Sequence, residues 1–168
     1  RGAQGAGRSA ETRQGDGMLD FLFTRHHSDA SGRAELSRAT RSGELVRVCE
    51  GVYLPAAEWN LLDERGRHLA LAHASQQSRR RRLVFSHWTA AAAWDLPLVE
   101  PLPRKVHAVA LRSTGGRSDD HLVRHCLGIP DRTVELDGLE VTSLARTVVD
   151  LARVAPFATA VVAADAGL

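Results

Sequence analysis

The sequence has little cysteine and almost no lysine. Cys49 and Cys126 are the only cysteines in 168 residues, and neither has a short-spaced partner. That excludes a disulfide framework and a cysteine-based zinc ligand set, and it fits a reducing, cytoplasmic setting. No uninterrupted apolar run approaches the ~18 residues that a spanning helix needs, so no membrane partner is expected. Residues 1–17 hold no apolar stretch of the secretory type. The chain also lacks a glycine-rich phosphate loop ending in Lys-Ser or Lys-Thr, a nuclease-like cluster of carboxylates and an internal repeat. Nucleotide hydrolysis is thereby excluded, and the expectation is a protein that is not an enzyme, with no catalytic residue, metal or cofactor.

What is present is arginine. Lys105 is the sole lysine and every other residue of that charge is arginine, although the net charge is only +2. The planar guanidinium donates in a fork and suits phosphate and guanine edges better than an ammonium does. An arginine-rich coding habit accounts for bulk composition equally well, so placement has to decide.

Residues 1–17, rich in Gly, Arg and small polar residues, read as a disordered extension, with Met18 as the candidate biological start. Thr24 is placed to cap a short helix over Arg25–Ala30 that ends at Ser31-Gly32. A second helix is expected over Arg33–Ser42, stopped by Gly43. At 100° per residue Leu36, Ala39 and Thr40 share one face of it, while Ser37, Arg38 and Arg41 lie on the other. LVRV, a Cys49-Glu50-Gly51 turn and VYL then form a hairpin signature. Helix, turn, helix and hairpin in this order are the layout of a winged helix-turn-helix. Arg33, Ser37, Arg38 and Arg41 are the candidate DNA contacts, with Arg47 on the wing strand.

Beyond Pro55 the pattern predicts a long helix over Leu61–Arg80 and a short strand at Leu83–Phe85. An alanine-rich helix opened by Ser86 follows, then strands over Lys105–Leu111 and His121–Leu127. Asp137-Gly138 marks a tight hairpin between Thr133–Leu136 and Leu139–Val141. A helix capped by Ser143 or Thr142 runs to about Val154, and Pro156 starts a last helix. The expected fold class is mixed α/β (α+β): a winged helix-turn-helix head at 18–55, then a second domain at 56–168 with a small, mostly antiparallel sheet and helices.

Several groupings point to chemistry and have simpler readings. Arg79–Arg82 sits at a predicted helix C-terminus, where positive charge opposes the macrodipole, so a solvated helix end is favoured over a second nucleic-acid patch. Ser86, His87 and nearby Asp95 imitate a hydrolase trio, but no nucleophile-elbow glycines flank the serine and an N-cap explains it. His121 and His125, beside Cys126, would share a metal on a helix; in a strand they stand ~13 Å apart. Arg146 and Asp150, four residues apart on a helix, read as a structural ion pair.

The pieces ELSRATRSGELVRVCEGVYL, VFSHWTAAAAWDLPL, KVHAVAL and VELDGLEVTSLARTVVDLAR, with the helix start VVAADAGL, together resemble the AbiEi-type antitoxin family with an N-terminal winged helix. The resemblance runs from Leu22 almost to the last residue. It implies a transcriptional repressor and antitoxin of a type IV toxin–antitoxin system, with double-stranded DNA and a cognate toxin as partners. Relatives often continue into a domain similar to very-short-patch-repair endonucleases. The expectation here is therefore a truncated C-terminus, and the alternative function is the non-catalytic accessory region of such a nuclease-like protein. The wing turn is basic in relatives, whereas Cys49-Glu50 stands here. Oligomeric state is left open by the sequence.

Overall fold

The structure, a computed structural model, describes residues 19–26, 29–110, 119–126, 128 and 132–167. The expectations for residues 1–17 and for most of the loop at 113–120 lie outside the described residues. Among those described, the chain is mixed α/β, with six α-helices and small sheets. No helix among them is long and apolar enough to cross a membrane.

The first part comprises β1 (Leu22–Phe23), a 3-10 turn at Thr24–His26, α1 (Ala30–Ser42), β2 (Leu45–Cys49) and β3 (Val52–Pro55). The strands pair antiparallel in the order β1-β3-β2. Two expected helices are thus corrected to a single turn of 3-10 and one helix. Asp29 is the cause: its extended backbone lets the carboxylate accept the Gly32 N–H at 3.3 Å, so Ser31-Gly32 opens a helix instead of closing one. Gly43, at φ 81°, ends α1 in the left-handed conformation, and its N–H donates to the Ala39 and Thr40 carbonyls. Leu36 is buried and Ala39 and Thr40 are half-buried, as the helical spacing predicts.

The helix expected over Leu61–Arg80 is the shorter α3 (Glu64–Gln77), and a separate short helix, α2 (Ala56–Leu61), precedes it. Leu62 turns extended and packs against the first core, and Asp63 caps α3 by accepting the Gly66 N–H at 2.6 Å. Then follow α4 (His87–Ala93), β4 (Val106–Val109), β5 (Leu122–His125), β6 (Thr133–Leu136), β7 (Leu139–Thr142), α5 (Leu144–Ala152) and α6 (Phe157–Ala166). Asp137 and Gly138, both at positive φ, form the tight turn between β6 and β7.

The strand expected at Leu83–Phe85 shrinks to one bridging residue. Phe85 pairs antiparallel with Ala108 and parallel with Val141, donating to the Glu140 carbonyl at 2.8 Å and accepting from the Thr142 N–H at 2.9 Å. It joins β4 to β7. Because β4 pairs with β5 in parallel and β6 with β7 antiparallel, this sheet is mixed and not mostly antiparallel.

Phe85, Val106, Ala108, Leu122, Leu139 and Val141 form the body core with Ala72 of α3. Phe23, Val48, Val52 and Leu54 form the head core with Ala74 of the same helix. Leu71 packs against both. One helix is the shared wall of the two cores.

Candidate functional site

The outward face of α1 carries four of the five residues singled out from the sequence. Arg33, Ser37, Arg38 and Arg41 are all exposed; Ser37, Arg38 and Arg41 lie away from buried Leu36, while Arg33, a turn before Leu36, flanks that side at the start of the helix. Arg41 Nε donates to the Ser37 carbonyl at 3.4 Å, which lays that guanidinium along the helix surface. Arg47, exposed on β2 opposite Tyr53, stands on the hairpin instead of the helix. In the hairpin turn the Gly51 carbonyl accepts the Thr24 N–H at 2.9 Å. Buried Cys49 and Glu50 border a cleft of about 410 Å³ with Ser75, Ser78 and Arg79 at the end of α3 and with Asp119, Asp120 and His121. Burial pushes the Cys49 thiol up to about 11, so the thiolate is scarce near neutrality.

The arginine run sorts itself by partner. Arg79 is committed to Asp119 and donates to the Ser75 carbonyl at 2.8 Å, and Arg82 pairs with Glu135 at 3.4 Å. Arg80 and Arg81 are exposed. Arg25, in the 3-10 turn, stacks over Phe23 at 4.2 Å and donates to the Gln77 carbonyl at 2.8 Å, fastening the head to α3.

A polar cluster that the sequence reading did not assemble lies inside the body. His87 stacks on His125, with ring centroids 3.7 Å apart and 18° between planes. His125 Nε2 lies 3.1 Å from His107 Nδ1 across the parallel strand pair. Asp150, 1% exposed, accepts from Arg146 Nε at 2.8 Å, and its other oxygen lies 4.0 Å from His87 Nδ1. The anticipated Arg146–Asp150 pair is therefore present, while the carboxylate oxygen nearest His87 is buried without a hydrogen bond. Asp95, the carboxylate first grouped with Ser86 and His87, instead pairs with Arg65 at the surface, 3.2 Å away. His121 stays outside the histidine cluster.

Ser86 occupies the N-cap position of α4 without making the capping bond; its hydroxyl meets His87 Nδ1 at 2.9 Å. The reason is the backbone of His87, whose φ of 51° turns the first helical residue back toward Ser86. Such a conformation costs about 1–3 kcal/mol outside glycine and persists where packing over-determines it. With a proton on Nδ1, His87 can donate to Ser86 and face Asp150, leaving a lone pair on buried Nε2, which has no partner. The opposite tautomer would strand an N–H there, at greater cost.

Thr89 extends the network. His68 Nδ1 faces the Pro103 carbonyl at 3.1 Å, so that nitrogen carries the proton and Nε2 accepts from the Thr89 hydroxyl at 2.8 Å. The same hydroxyl accepts the His107 N–H at 2.8 Å. Burial, reinforced by the neighbouring His125, holds His87 and His107 down at about 3, and burial holds His68 at about 4. His125 is lowered by burial too, with Asp150 opposing. The imidazoles are thus neutral at pH 7.

Ser86, His87 and Thr89 are close in sequence, as are Arg146 and Asp150, but His68, His107 and His125 come from segments far apart, and no local spacing marks His68 or His107. Among the described residues no group of three His, Cys, Asp or Glu side chains is arranged to hold a metal ion. Against known proteins, no family model matches the chain and no curated protein matches it.

Proposed function

We propose that the chain is a double-stranded-DNA-binding regulator that reads its site with α1. The observation that carries this reading is the setting of that helix. A strand, a 3-10 turn, α1 and a hairpin follow one another, with the strands paired in the order β1-β3-β2; this order supports a winged-helix reading in which α1 is the recognition helix, although a 3-10 turn stands where the first helix was expected. The helix packs on β2 with Leu36 buried, while Arg33, Ser37, Arg38 and Arg41 are exposed. Arginines on such a face neutralise phosphates, and one or two side chains reach base edges. Arg47 contributes from β2. The hairpin turn, with the exposed carboxylate of Glu50 at its tip, is a poor phosphate contact, so affinity rests on the helix.

The resemblance to AbiEi-type antitoxins adds a biological setting: repression of the chain's own operon by occupancy, and antagonism of a cognate toxin. The test is binding of the purified chain to its own upstream DNA across a salt series, beside Arg38→Ala/Arg41→Ala. Preference for that fragment over scrambled DNA is expected, and the double variant should lower the log–log salt slope by about 1.8, at ~0.9 per phosphate contact. Equal, weak binding to every DNA, unchanged by the variant, overturns the reading.

A further inference from the structure

The outer stripe of α6 is apolar and bare. Phe157 is 85% exposed, Val161 47% and Val162 38%, on a helix whose buried residues are only Thr159 and Ala163. At 100° per residue Phe157, Ala158, Val161, Val162 and Asp165 all fall within one face. Val154, in the turn leading into the helix, is 52% exposed. Contiguous apolar surface of this kind on a folded domain marks a contact site.

The charges on the stripe say what kind of contact. Asp165 stands at the C-terminal end, where a carboxylate opposes the helix dipole. At the other end Pro156 holds the N-cap position with no side-chain cap, there is no acidic residue in the first turn, and Arg153 is exposed just before it. One end of α6 therefore has a carboxylate in the wrong place, and the other has uncapped N–H groups and a cation. An antiparallel copy of the same helix corrects both at once.

We propose that a second copy of this chain docks antiparallel on α6 by a two-fold axis passing level with Thr159, midway between Phe157 and Val161. Phe157 and Val161 of each copy bury against the other, and each Asp165 meets the helix N-terminus and Arg153 of its neighbour. An isologous contact of this type repeats every interaction twice, so a modest stripe gains twice from each residue. The proposal does not depend on DNA binding, although a two-fold pair of heads would suit a palindromic site.

The experiment is sedimentation equilibrium of the full chain over a wide concentration range, without DNA. Wild type should show a monomer–dimer equilibrium, and Phe157→Asp should weaken it at least about tenfold, given what burial of a Phe side chain is worth. Asp165→Arg and Arg153→Asp should each weaken association several-fold, and the two together should restore it, because the swapped charges meet across the axis. Circular dichroism melting checks that each surface variant is folded; the charge variants carry the test if Phe157→Asp is not. A wild type that stays monomeric throughout overturns the proposal, as does a dimer indifferent to Phe157→Asp. A double variant that fails to recover removes the antiparallel register. Recovery of monomer only when further chain follows Leu168 would assign the stripe to that segment and also overturn it.

Discussion

At His87 several costs meet in one residue: a left-handed backbone, a fully buried imidazole and a ring nitrogen without a partner. They are tolerated because Ser86, His125 and Asp150 together leave the side chain no cheaper position. The neutrality of the cluster has a consequence for pH. In the unfolded chain each histidine takes up a proton near 6.5, whereas in the fold His87 and His107 do so only near 3 and His68 near 4. Between those values the unfolded state binds more protons, so stability falls as pH falls. The stabilisation is complete above about 6.5 and is lost progressively down to about 3, at up to about 1.4 kcal/mol per pH unit for each imidazole. Urea unfolding between pH 7 and pH 4.5 should show a declining midpoint. His107→Gln should flatten the decline; a midpoint that does not move with pH would contradict the buried neutral state.

At the scale of elements, local rules place boundaries well only where one residue dominates. Gly43, Asp137-Gly138 and Ser143 end or begin elements as their chemistry predicts, since a positive φ or a capping hydroxyl acts within a few bonds. Asp29 and Asp63 do the same from positions that helical periodicity alone does not mark, and each shifts a helix start by several residues. Phe85 is the opposite case: too short a segment to read as anything alone, yet it welds β4 to β7 and is completely buried. Two substitutions separate these kinds of influence. Asp29→Ala should cost about 1 kcal/mol, the worth of one side-chain cap on an exposed helix start. Phe85→Ala should cost about 3–5 kcal/mol, because it opens a cavity where the sheet is joined. Thermal or chemical denaturation measures both, and similar losses from the two would mean that Phe85 does not carry the join.

At the scale of the whole molecule, α3 decides how head and body behave. Ala72 faces one core, Ala74 the other, and Leu71 touches both, while Arg25 bonds across to Gln77. The head therefore has no closed core without α3, and division at Pro55 does not cut between independent units in the physical sense. Leu71→Ala should lower the protection of the Leu54 and Val141 amides against hydrogen exchange by the same increment. Loss at one amide alone would mean two separately unfolding units. The sequence by itself determined the mixed α/β class, the tight turns, the Gly43 and Ser143 caps and the outward arginine face of α1, because each depends on residues within a turn or two of one another. Only the tertiary structure decided that His87, His107, His125 and Asp150 come together, that Asp150 and not Asp95 faces the histidine, and that β4 and β5 run parallel. Those contacts join segments tens of residues apart, and nothing in local spacing encodes which distant partner a buried side chain will meet.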